Sequence, residues 1–98
     1  ATASEVHRSF SATLARHGLT KDSRIGYSIG IGYPPDWGER TVSLRADDTT
    51  ILAEGMCFHL MLGMWMDGWG YETSESVLVG AGGPTLLTDV PQGLLVKP

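Results

Sequence analysis

One cysteine, two phenylalanines and seven basic residues among 98 positions limit this chain before any motif is read. The lone Cys57 excludes an internal disulfide and any multi-cysteine zinc site, and it fits a reducing compartment. Seven Lys and Arg stand against eleven Asp and Glu, for a net charge of −4. The basic residues are scattered rather than clustered, which argues against nucleic acid as a partner. No apolar run approaches the roughly 18 residues of a membrane span, and the first residues carry no signal-peptide pattern. The expected location is the cytoplasm, without membrane attachment. Internal repeats, linkers and low-complexity tracts are also missing. What remains is the composition of a globular chain, 42% hydrophobic and 18% charged, of a size for one domain over 1–98.

The predicted elements are one helix followed by strands. Ser4 is a candidate N-cap, and Val6, Phe10 and Leu14, with Ala3 and His17 near the same line, recur at helical spacing. Gly18 supplies the stop, so the helix is expected from about 4 to 17. A polar turn over 20–23 leads into the glycine-interrupted apolar stretch 24–32. Pro34 and Pro35 make 33–38 a loop, because proline lacks the donor that a central ladder needs. Short strands are expected over 41–44 and 56–62, a hairpin flanked by Gly68 and Gly70, a returning strand over 72–79, and a turn over 80–84. Leu86-Leu87-Thr88 and Leu94-Leu95-Val96 finish the chain. This is an α+β pattern with a mostly antiparallel sheet.

Alternation along 56–62 places Met56, Phe58, Leu60 and Leu62 on a packing face and Cys57, His59 and Met61 on the other. On the returning strand Thr73, Glu75 and Val77 share a face. If the hairpin joins these strands suitably, Glu75 can approach His59, and a carboxylate there would fix the imidazole tautomer. Carboxylates are seldom buried without a partner, which singles out Glu75 in a half-apolar strand. The four methionines read as filler, Cys57 as an inert buried thiol, and Tyr27 as a packing residue with a satisfied hydroxyl. His7 and His17 read as solvated helix residues. Gly26, Gly30 and Gly32 have the wrong spacing for a dinucleotide fingerprint.

The run Arg24-Ile25-Gly26-Tyr27-Ser28-Ile29-Gly30-Ile31-Gly32-Tyr33-Pro34-Pro35-Asp36-Trp37-Gly38-Glu39-Arg40 carries a family resemblance. With Gly55 to Gly63, Trp65 to Gly70, Glu75 to Val79 and the ending Leu87-Thr88-Asp89-Val90-Pro91, it resembles the C-terminal half of the pita-bread enzymes. These include methionine aminopeptidases, prolidases and creatinase, and the similarity is greatest to the ectoine hydrolase branch. The resemblance implies half a pita-bread fold: a helix followed by a mostly antiparallel sheet. It also implies where metal ligands would stand in a peptidase of the family. Tyr27 takes the place of a metal-binding His, Pro34 that of a second His, and Met61 that of a Glu. Ser74 takes the place of the last bridging Glu or, with a shift of one residue, Glu75 does. Two aspartates of the family precede the matching region. No metal and no other cofactor is therefore expected.

The ectoine hydrolases and creatinase resemble metal-free members that hydrolyse amidine or urea-type C–N bonds, chemistry that needs a positioned acid or base. Within that resemblance Glu75 and His59 are the expected catalytic pair. Asp36 and Glu39 would meet a small cationic or amidine ligand, and Trp37, Trp65 and Tyr27 would line its site. The chain reads as truncated and as inactive by itself if the missing half supplies further carboxylates. The alternative is a non-catalytic half-domain that binds a small molecule or another chain. Either way, an isolated half exposes its sheet face, and a homodimer would cover it.

Overall fold

Thr2, rather than the expected Ser4, caps the helix α1 (Ala3–Ala15). Its Oγ1 accepts from the Glu5 N–H at 3.2 Å, while the Glu5 carboxylate accepts from the Thr2 N–H at 2.8 Å. This reciprocal capping box was readable as the Thr-x-x-Glu spacing of 2–5. Ser4 lies buried at the second position of the helix, and its N–H donates to the Asp48 carbonyl at 2.7 Å. The Ala3 N–H donates to the Thr50 carbonyl at 2.9 Å. A loop more than forty residues away thus satisfies two of the orphan donors at the helix start. The helix ends two residues before the expected limit, and Gly18, with φ of 71°, closes it as predicted.

The computed structural model describes residues 1–21, 23–30 and 38–97, with backbone alone at 38–40. Five strands follow the helix: β1 (Gly26–Ile29), β2 (Gly38–Ser43), β3 (Cys57–Met66), β4 (Trp69–Gly80) and β5 (Gly83–Leu86). They form one antiparallel sheet in the order β2-β1-β3-β4-β5. This α+β arrangement is the half pita-bread layout expected from the sequence. The loop predicted at 33–38 lies outside the described residues except for Gly38, which already belongs to β2.

The hairpin is longer than predicted. β3 runs on to Met66 and β4 begins at Trp69, leaving Asp67-Gly68 as a two-residue turn with Gly68 at φ 81°. Gly70 sits within β4 rather than flanking the turn. The second turn is Ala81-Gly82, so Pro84 belongs to the edge strand β5, where a missing donor costs least. Leu94, Leu95 and Val96 form no strand and are largely exposed.

The expected packing face is the core face. Phe58 and Leu44 are fully buried among Ala3, Ile25, Val42 and Val77, with Val6, Phe10, Leu52, Met56, Leu60 and Leu62 packed around them. Cutting Phe58 back to alanine would cost about 3–5 kcal/mol. His7 corrects one expectation: it is buried at 7% exposure, not solvated. Ala3, His7, Phe10 and Leu14 follow one another at four, three and four residues, which is the inward stripe of a helix. Ser11 Oγ lies 3.5 Å from the His7 Nδ1, while the buried His7 Nε2 has no hydrogen-bond partner among the described residues. Among the described residues no helix is long and apolar enough to cross a membrane.

Candidate functional site

Strand register decides which ionisable groups can act together. On the β3–β4 ladder His59 pairs with Ser76, Leu60 with Glu75, and Met61 with Ser74. Directly paired residues project to the same side of a sheet, and neighbours along a strand to opposite sides. Glu75 therefore shares the side of Leu60 and Phe58, and His59 points to the other side. The expected approach of Glu75 to His59 does not occur in this chain. Flanking glycines at 68 and 70 leave the turn position open by a residue, and a register slip of one residue reverses every side chain of the returning strand.

Glu75 has other partners. Its two carboxylate oxygens accept from the Thr88 hydroxyl at 2.5 Å and from Gln92 Nε2 at 2.6 Å. These bonds draw the segment after β5 back across β4, helped by the Leu87 N–H, which donates to the Ser76 carbonyl at 2.9 Å. The cleft between segment and strand encloses about 520 Å³ and is bordered by Tyr71, Glu75, Gln92 and Leu94.

His59 stands on the face opposite the helix, across β1 from Tyr27. Their ring centroids are 5.4 Å apart with the planes at 55°. The Arg24 guanidinium carbon lies 4.7 Å from the Tyr27 ring centroid, a cation–π contact that sequence reasoning missed. Cys57 and Met61 flank His59 on the same face, all half-buried, with Ser74 and Ser76 opposite on β4.

Trp65 shares this face, but six residues along an extended strand, about 20 Å, separate it from His59. The two do not line one pocket. The Trp65 ring folds back over Gly63, where a Cβ would fall 2.2 Å from a ring atom. Lys21 Nζ lies 4.7 Å from the Trp65 ring centroid and donates to the Gly63 carbonyl at 2.6 Å. Burial pushes the Lys21 ammonium below its ordinary pKa, with Glu72 partly opposing the shift. The Glu39 side chain, Asp36 and Trp37 lie outside the described residues.

The positions implied for family metal ligands now have a geometry. Tyr27, Met61 and Ser74 share the His59 face, with Met61 directly opposite Ser74. This favours Ser74 over Glu75 as the counterpart of the bridging glutamate. A phenol, a thioether and a hydroxyl do not fit a hard divalent cation, which takes carboxylate and imidazole donors. Among the described residues, no three His, Cys, Asp or Glu are placed to hold a metal ion.

Comparison with known proteins agrees with this architecture. The chain is 47% identical to the ectoine hydrolase of Halomonas elongata over 94 residues, which are 95% of this chain and 24% of that protein. It is 43% identical to the uncharacterized hydrolase/peptidase y4tM of Sinorhizobium fredii, over 98% of this chain and 24% of the relative. The chain thus spans about a quarter of the length of the curated relatives it matches. Among solved structures, the dipeptidase PepE of Mycobacterium ulcerans superposes with a TM-score of 0.82 at 27% identity, covering 96% of this chain and 25% of that one. The prolidase of Pyrococcus furiosus, at 21% identity, shows the shared fold with a TM-score of 0.79, over 93% of this chain and 26% of its own. Metallopeptidase family M24 matches residues 1–81, and with that match and these relatives the chain belongs to this family.

Proposed function

We propose that this chain is a substrate-facing half pita-bread unit of a metal-independent hydrolase that cleaves a C–N bond in a small cyclic amidine or amide, with ectoine as the model substrate. The observation that supports this reading is the face shared by Tyr27, His59, Met61 and Ser74. It keeps an imidazole and a phenol where the peptidases of the family bind metal, and it offers poor ligands for a cation. The 47% identity to an ectoine hydrolase along nearly the whole chain directs the choice of substrate.

In this mechanism His59 is the proton carrier. It takes a proton from water as the oxygen attacks the amidine carbon, and returns it to the nitrogen that leaves as the C–N bond breaks. Tyr27 packs against the imidazole and limits its orientation. Asp36, Glu39 and Trp37 are assigned to the positive end of the amidinium. Glu75, on the opposite face, holds the C-terminal segment instead of supplying the base. The test is His59→Gln, with ring opening of ectoine followed by proton NMR. Loss of turnover by at least about 100-fold with an unchanged amide spectrum is expected. Equal turnover would remove His59 from the mechanism.

A second reading has its own support. Trp65 is 67% exposed and Trp69 51%, while Leu94, Leu95 and Val96 are more open still. Such apolar surface fits a non-catalytic, self-associating half-domain, with a second copy covering the sheet face. Light scattering on a sizing column distinguishes the two states, and ligand binding without product marks this reading.

A further inference from the structure

We propose that Arg24, Tyr27 and His59 form a carboxylate site, an anchor for the acid end of a small substrate. The proposal rests on the reading of this face as the ligand-binding face, but not on turnover.

The geometry begins with the guanidinium of Arg24 over the Tyr27 ring at 4.7 Å. A guanidinium held against a ring directs its N–H groups outward from its edge, where they match the two oxygens of a carboxylate. Tyr27 is in turn in contact with His59, paired with it across β1 and β3. The three side chains are half-buried, so a bound anion would be partly withdrawn from water and its hydrogen bonds strengthened. Ser76, opposite His59, adds a hydroxyl on the same side.

Charge supports the assignment. Among the described residues neither Arg24 nor His59 forms an ion pair or a hydrogen bond to a carboxylate. The carboxylate that the hairpin places on this face is Glu72, opposite Gly63, four residues along the ladder from His59 and therefore about 13 Å away. Glu75, nearer to His59 along the ladder, projects to the other side and already accepts from Thr88 and Gln92. Lys21, the other cation over an aromatic ring among the described residues, already donates to the Gly63 carbonyl. A cationic group beside a ring and an imidazole, with no acidic partner among the described residues, is complementary to an external acid.

The experiment is a titration of the isotope-labelled protein with three probes: ectoine, the same methylated tetrahydropyrimidine ring without its carboxylate, and acetate. Ectoine should shift the Tyr27 and His59 signals and bind at least about tenfold more tightly than the decarboxylated ring. Acetate should shift the same signals at higher concentration. Arg24→Gln should weaken ectoine about tenfold and leave the decarboxylated ring unchanged, and Arg24→Lys should fall between, because the charge remains and the fork is lost. The amide dispersion of each variant reports its fold independently. Equal binding of both rings, or an Arg24→Gln variant that binds ectoine normally, overturns the carboxylate anchor while the ligand-binding reading survives. If no probe shifts any signal on this face, both readings fall together.

Discussion

Leu60 and Glu75 face each other across the β3–β4 ladder, and this pairing sets the side on which the ionisable groups of the hairpin lie. It sends Glu75 towards the helix side and the C-terminal segment. It leaves His59, Met61, Ser74 and Ser76 together on the other side. A slip of β4 by one residue would turn Glu75 to the His59 face and Ser74 and Ser76 away from it.

That placement makes Glu75 a clamp. Glu75→Ala removes the acceptor of both Thr88 and Gln92. Hydrogen exchange over 87–92 should accelerate while protection of β3 is retained, and stability should fall by about 1 kcal/mol. Exchange unchanged over that segment would show that it is held by other means.

At Gly26, β1 runs close against β3. A Cβ there would lie 2.8 Å from the His59 carbonyl oxygen and 3.0 Å from Leu44 Cδ1. Backbone cannot swing aside as a side-chain tip can, so Gly26→Ala must part the two strands. The expected loss is about 1–3 kcal/mol in urea unfolding, together with weaker Tyr27–His59 ring contacts by NMR. A variant as stable as the parent would contradict this packing.

Asp48 links stability to pH. Hydrogen bonds from Thr50 and from the Ser43 backbone hold its carboxyl below the ordinary carboxylate pKa. A depressed pKa contributes stability that is complete above the unfolded value of about 4 and is lost as pH falls through the lower folded value. Asp48→Asn should therefore have a lower urea midpoint than the parent at pH 7, with the gap closing as pH falls below about 4. A gap independent of pH would place the stabilisation elsewhere.

Much of this was legible in the sequence. Helical spacing located α1, and alternation at 56–62 identified Phe58 and Leu60 as core-facing. The register of the hairpin was also readable. Asp67-Gly68 is a strong two-residue turn signal, and counting back from it pairs Leu60 with Glu75. Weight on the glycines at 68 and 70, with a strand ending at Leu62, hides this count. His7 was mistaken because its polarity outweighed its position on the stripe of Ala3, Phe10 and Leu14. The contact of Arg24 with Tyr27 and the bonds from Thr88 and Gln92 to Glu75 could not be read. They depend on side-chain directions and on a segment without regular structure, for which periodicity carries no information.

The two carbonyls offered to the start of α1 by Asp48 and Thr50 make the helix a reporter of distant closure. Thirteen residues are too few for a stable helix alone in water. The first turn of this one is completed only when the middle of the chain has returned to it. The Leu52 N–H extends the same seam by donating to the Ala1 carbonyl at 2.8 Å. The beginning of the helix and the 48–52 stretch therefore open and close as one cooperative unit, so a perturbation at Asp48 is felt at Thr2.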